Sequence, residues 1–126
     1  MVVENIKVAL IQMKVNNDKK ENINKAEEMI KEAVKSNVKL VILPEMFNCP
    51  YQTNLFPEYA EKEGEYTFNK LKNIARKNRI FLVGGSIPEL DGSNIYNTSY
   101  VFDDNGNMIG KHRKIHLFDI DIDQVD

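Results

Sequence analysis

The side chains in this 126-residue sequence that could do chemistry fall in two places. Glu45 follows Pro44 at the end of an apolar run, Val38, Leu40, Val41, Ile42 and Leu43, and Cys49 stands four residues further on. Much later, Lys111, His112, Arg113 and Lys114 lead into Ile115, His116, Leu117 and Phe118. A carboxylate at a strand end could take and return a proton, a lysine could hold developing negative charge, and a thiol could attack a carbonyl. Each residue also has a plainer reading. Glu45 could be a solvent-exposed loop acid, Lys114 a solvated basic hairpin end and Cys49 a small loop residue, and position alone favours the plainer reading of each. Nothing local marks an activating environment for Cys49. His112 and His116 lie four apart, a spacing that aligns two ligands on a helix but means little in a hairpin tail; without a third ligand no metal site is assigned. The basic run lacks the aromatic interleaving and second basic patch of a phosphate or nucleic-acid binder.

Composition narrows the field. A net charge of −2 and a pI near 5.7 speak against a general nucleic-acid partner. A single cysteine excludes an intrachain disulfide framework and a zinc site built from several thiolates, and it fits a reducing cytoplasm. No apolar run approaches the roughly 18 residues of a membrane span, and the opening MVVENIKVALIQM lacks the basic start and long apolar middle of a signal peptide. The expectation is one soluble, cytoplasmic domain whose partners are small molecules or protein.

The elements that must position these residues follow from periodicity. Residues 6–15 alternate as a strand with apolar side chains on both faces. Asp18, with Glu21 three residues later, resembles a capping box and starts a helix whose apolar stripe is Ile23, Ala26, Ile30, Ala33 and Val34. Ser36 and Asn37 break it before the run at Val38, which reads as a strand buried on both faces and stopped by Pro44. Together these form a βαβ unit with parallel strands. Residues 52–66 read as a loop with one short helical turn, and residues 65–78 as a second helix with Phe68, Leu71, Ile74 and Ala75 inward. Ile80 to Val83 is a third strand, after which Gly84 and Gly85 permit a bend or a close backbone approach. Ile95 to Phe102, the turn Asp104-Asn105-Gly106 and the strand from Asn107 to about Lys111 complete a hairpin. The order is β-α-β-α-β-β-β. Two helices cover one face of the sheet, so the other, also apolar, needs a cover that these elements do not supply.

The strings VALIQM, LVILPEMFNCPY, FLVGGSIPE with YNTSYVFDDNG, and GKHRKIHLFDID resemble the opening half of the nitrilase, or carbon–nitrogen hydrolase, superfamily, and most closely its omega-amidase branch. The resemblance covers essentially the whole chain. It implies an α/β fold that is the N-terminal half of a four-layer α-β-β-α sandwich, with residues 1–126 forming a partial domain. It also implies hydrolysis of a carbon–nitrogen bond in a small linear amide, the ω-amide of a dicarboxylic acid, without a cofactor or metal. The family motifs fall on Glu45 and Lys114. A thiol with a pKa of about 8.5 is weakly ionised at neutral pH. Glu45 would therefore take its proton and later protonate the leaving amine, while the Lys114 ammonium would stabilise the oxyanion.

The family's nucleophile lies in a later segment of the form G-x-x-I-C-Y-D, and the resemblance does not transfer that role to Cys49. The ending DIDIDQVD departs from the family's course just after FDID, as in a chain cut short, a split gene or a fragment. The expectation is a chain with the glutamate and lysine but no nucleophile, inactive alone, which self-associates through its uncovered sheet. The rival is a non-catalytic module that associates with a full-length relative. A small phospho-receiver domain fits poorly, because its early strands should end in clustered acids and the first strand here ends Gln12-Met13-Lys14.

Overall fold

A computed structural model describes residues 5–116; the tail DIDIDQVD, Leu117 and Phe118 lie outside them. β1 (Val8–Leu10) is followed by α1 (Lys19–Val34), whose first turn is capped by Asp18 accepting from the Glu21 main-chain N–H at 3.1 Å. The predicted stripe holds: Ile23, Ala26 and Ile30 are fully buried. β2 (Leu40–Ile42) lies parallel to β1, and β3 (Phe81–Val83) parallel to β2. Between them run a 3-10 turn (Thr53–Leu55), the single helical turn α2 (Phe56–Tyr59) and α3 (Tyr66–Asn78). α3 stops at Arg79, which takes a left-handed φ of 52°.

The order anticipated from the sequence is extended by one strand, β4 (Ile87–Asp91), ahead of β5 (Asn94–Phe102) and β6 (Met108–Arg113). Pro88 and Glu89 disguised it, since proline removes a ladder donor and acids are scarce in buried strands. The geometry removes both objections. Asn97, opposite Pro88, turns its carbonyl away from β4 to accept from Lys114 N–H, while Pro88 offers its own carbonyl outward to Glu61 N–H. No N–H is therefore required of Pro88 on the side facing β5. β3 and β4 pair with successive stretches of one edge of β5, and β6 takes the other edge. β3 and β4 thus behave as one long strand bent at Gly84 and Gly85.

Glu89 is 2% exposed and acts as a clasp across three strands. It accepts from Thr98 Oγ1 and Arg113 Nε, each at 2.8 Å, and from Lys111 Nζ at 2.6 Å. Arg113 continues to Asp91 at 2.9 Å and lies over the Tyr96 ring, while Lys111 reaches Glu63 at 3.0 Å. Lys111, His112 and Arg113 are therefore part of β6, with Lys111 and Arg113 paired to carboxylates, and Lys114 follows the strand directly.

Both long helices pack on one face of the sheet, where Val41, Leu82, Tyr100 and Phe102 meet Ile23, Ile30, Leu71 and Ile74. On the other face an apolar row crosses five strands in direct register, Leu10, Ile42, Val83, Val101 and Gly110. Among the described residues nothing covers it, and Leu10 is 72% exposed. β2 is thus buried on its helix face through Val41, whereas Leu40 and Ile42 are only partly shielded, so the burial on both faces expected from the apolar run is met on one face among the described residues.

Burial pushes the Glu89 carboxyl up, but the bonds from Arg113, Lys111 and Thr98 outweigh it and hold its pKa at about 2. A folded pKa below the unfolded one stabilises the fold fully above the ordinary carboxylate range, and that contribution is lost as pH falls towards 2. Glu89→Gln should cost about 2–3 kcal/mol in urea unfolding at neutral pH, below the range for fully buried pairs because Lys111 and Arg113 are partly solvated. It should also flatten the loss of stability between about pH 4.5 and pH 2. An unchanged acid limb would show that the clasp contributes little.

Candidate active site

Glu45 reaches its position through three constraints on the chain around it. Leu43 N–H still donates to Val83 O at 3.0 Å, so the backbone remains tied to β3 up to Pro44. Met46, with a left-handed φ of 50°, donates its N–H to Ser86 Oγ at 3.0 Å. Gly85, at φ +57°, lies so close to the Pro44 carbonyl that a Cβ there would sit 2.1 Å from the oxygen. The close approach anticipated for the glycine pair is therefore one between Gly85 and the strand end bearing Glu45.

Lys114 arrives from the other end of the sequence. Its N–H donates to Asn97 O at 2.9 Å, continuing the β5–β6 ladder one step beyond Arg113. Alternation along β6 sends Lys111 and Arg113 to Glu89, and His112 and Lys114 to the opposite, uncovered face. There Lys114 Nζ meets Glu45 Oε1 at 2.7 Å, and Asn97 Nδ2 donates to the same oxygen at 2.8 Å. These groups line a cavity of about 270 Å³ with Ile42, Val83, Ser86 and Ser99, open to the uncovered face.

The Lys114 bond is the main reason the Glu45 carboxyl lies below its ordinary range; partial burial opposes it, and Asn97 and Tyr51 add smaller pulls. Lys114 is raised in turn, chiefly by its bond to Glu45. At neutral pH the pair is a carboxylate beside an ammonium: one group able to receive a proton, the other able to stabilise a developing anion.

The remaining candidates separate from this pair. Cys49 is 1% exposed, packed with Met46 and Tyr59, and burial pushes its thiol up to about 11, with only a small opposing pull from Lys19. Such a thiol is a poor nucleophile at neutral pH. His112 lines the cavity, whereas His116 lies beyond β6. Among the described residues no group of three histidine, cysteine, aspartate or glutamate side chains could hold a metal. Asn97 is not among the residues expected from the sequence; its place opposite Pro88 is set by the β4–β5 pairing.

The family model described as carbon–nitrogen hydrolase matches residues 7–126. Nitrilase homolog 2 of Dictyostelium discoideum is 51% identical over 118 residues, spanning 92% of this chain and 36% of its own length. Omega-amidase NIT2 of Mus musculus is 47% identical over 116 residues, spanning 92% and 42%. The chain thus spans well under half the length of these curated relatives. The crystal structure of Saccharomyces cerevisiae Nit3, a member of branch 10 of the nitrilase superfamily, superposes with a TM-score of 0.83 at 45% identity. It spans 88% of this chain and 44% of the yeast protein. The fold alone is shared with XC1258 of Xanthomonas campestris, at a TM-score of 0.82 and 20% identity.

Gly85→Ala tests how the strand end is held. It should destabilise the chain by about 2–4 kcal/mol in denaturant unfolding, through left-handed strain and collision with Pro44. It should also move the Glu45 side-chain resonances. A variant as stable as the parent would refute the close approach.

Proposed function

This chain belongs to the carbon–nitrogen hydrolase family, and on that premise we propose that it supplies the proton-transfer and charge-stabilising half of an amide-hydrolysing site. The observation that carries the reading is the 2.7 Å contact between Glu45 and Lys114, residues 69 positions apart that meet on the uncovered face. Glu45 is the general base. It takes the proton of a cysteine thiol as the sulfur attacks the amide carbon, and Lys114 stabilises the oxyanion formed. As the tetrahedral species collapses, Glu45 returns the proton to the leaving nitrogen, releasing ammonia and a thioester. Glu45 then accepts a proton from the water that cleaves the thioester and passes it to the departing sulfur, releasing the carboxylic acid and restoring the thiol. The thiol comes from a segment outside these 126 residues, since the only cysteine here is buried in its own loop. The ω-amide of a small dicarboxylic acid is the proposed substrate, supported by the omega-amidase relatives at 47–48% identity. Neither cofactor nor metal takes part in this scheme. The cytoplasm is the proposed compartment; among the described residues no helix is long and apolar enough to cross a membrane.

The purified chain should show no amidase turnover. Turnover abolished by Cys49→Ser would sink this assignment. Joined to the remaining segment of the Dictyostelium relative, the chain should become active. In that chimera Glu45→Gln should lower kcat about 10²–10⁴-fold and Lys114→Met about 10²–10³-fold.

The open row Leu10, Ile42, Val83 and Val101 favours a second reading, a module that associates through this face with itself or with a full-length relative. Burying one such aliphatic side chain is worth about 1.5–3 kcal/mol. Sedimentation should show self-association that Leu10→Lys weakens. A monodisperse monomer that binds no hydrophobic dye would rule this out.

A further inference from the structure

Asn97 bonds to both members of the pair from within a strand. Its carbonyl accepts from Lys114 N–H at 2.9 Å, and its side-chain amide donates to Glu45 Oε1 at 2.8 Å. We propose that Asn97 is a positioning residue which sets Glu45 against Lys114 and fixes the rotation of the carboxylate between them. This rests on the reading of Glu45 as the proton acceptor.

Three observations carry it. First, Asn97 is itself fixed: it is 9% exposed in the middle of β5, flanked by β4 and β6. Second, the chemistry allows only one orientation of its amide. Glu45 Oε1 already accepts from Lys114, and a carboxylate oxygen can only accept, so Nδ2 rather than Oδ1 must face it. Third, both bonds fall on Oε1. A lone ammonium on a flexible stem would hold the carboxylate by charge and leave it free to turn. A second donor from a rigid strand, meeting the same oxygen from another direction, defines the carboxylate plane and directs the other oxygen. Asn97 touches neither thiol nor amide in this scheme, so its effect passes through Glu45.

A side chain of this size in a strand could instead serve only to fill space and satisfy its own amide. The two roles differ in what they do to Glu45. A packing role leaves its proton affinity alone, whereas a donor to its anion holds that affinity down, and removal of the donor must raise it.

The test is a pH titration by NMR of the labelled chain, following the Glu45 carboxyl carbon and the Asn97 side-chain amide. In the parent chain the Asn97 amide signals should move with the same midpoint as Glu45. In Asn97→Leu, close in volume but without a donor, the Glu45 midpoint should rise while the Thr98 and Tyr100 amides keep their positions. Amide signals indifferent to the Glu45 titration would overturn the proposal, as would an unchanged midpoint in a folded Asn97→Leu chain. The parent titration decides the matter if that variant does not fold. Because the titration reads position rather than turnover, co-titration as expected with Glu45→Gln harmless in the active chimera would remove the catalytic reading and leave the Asn97–Glu45 coupling standing.

Discussion

The register of β6 against β5 is the constraint on which the rest depends. Thr98 lies opposite Arg113 and Ser99 opposite His112, and Lys114 follows with its N–H on Asn97. Successive strand residues face opposite ways, so a slip of one position would exchange the two sets. Lys114 would turn towards the helix face, and Lys111 and Arg113 would enter the open face, away from Glu89. The turn at Asp103 to Asn107 holds this register locally, with Asp103 Oδ1 accepting from Asn105 and Asn107 N–H and Gly106 at φ +81°. The Glu89 clasp holds it at the far end. One carboxylate thus keeps a strand in place so that another can meet its lysine.

The two acids have different surroundings, which suit them to different tasks. Glu89 is almost fully buried and saturated by three donors, so it is unavailable for proton exchange near neutrality. Glu45 has a side chain about half exposed and lies against an open cavity. A structural acid needs satisfied bonds in a dry place; a base needs a partner that keeps it charged and a side open to its substrate.

Much of this was legible in the sequence, for identifiable reasons. The stripe of α1, its Asp18 cap and the parallel β1–β2 pairing follow from local periodicity and capping chemistry. Glu45 was placed at a strand end by the proline before it, and its role was assigned by the family resemblance. Lys114 was not distinguishable by position from Lys111 and Arg113. Only the family resemblance singled it out, because the face a strand residue takes depends on pairing with distant partners. β4 was hidden because Pro88 and Glu89 argue locally against a buried strand, and both are reconciled only by contacts with Glu61, Lys111 and Arg113. Asn97 was missed for the same reason: its importance lies in two bonds to residues 52 and 17 positions away.

The apolar row and the Glu45 site lie on one surface, which ties proton affinity to assembly. Any structure that covers Leu10, Ile42, Val83 and Val101 also withdraws water from around Glu45 and Lys114. Loss of water penalises the carboxylate and strengthens its attraction to the ammonium, so the proton affinity of Glu45 shifts as the cover closes. By reciprocity, the strength of that closure must then vary with pH by the same free energy. Covering this face and protonating Glu45 are therefore coupled events on one surface.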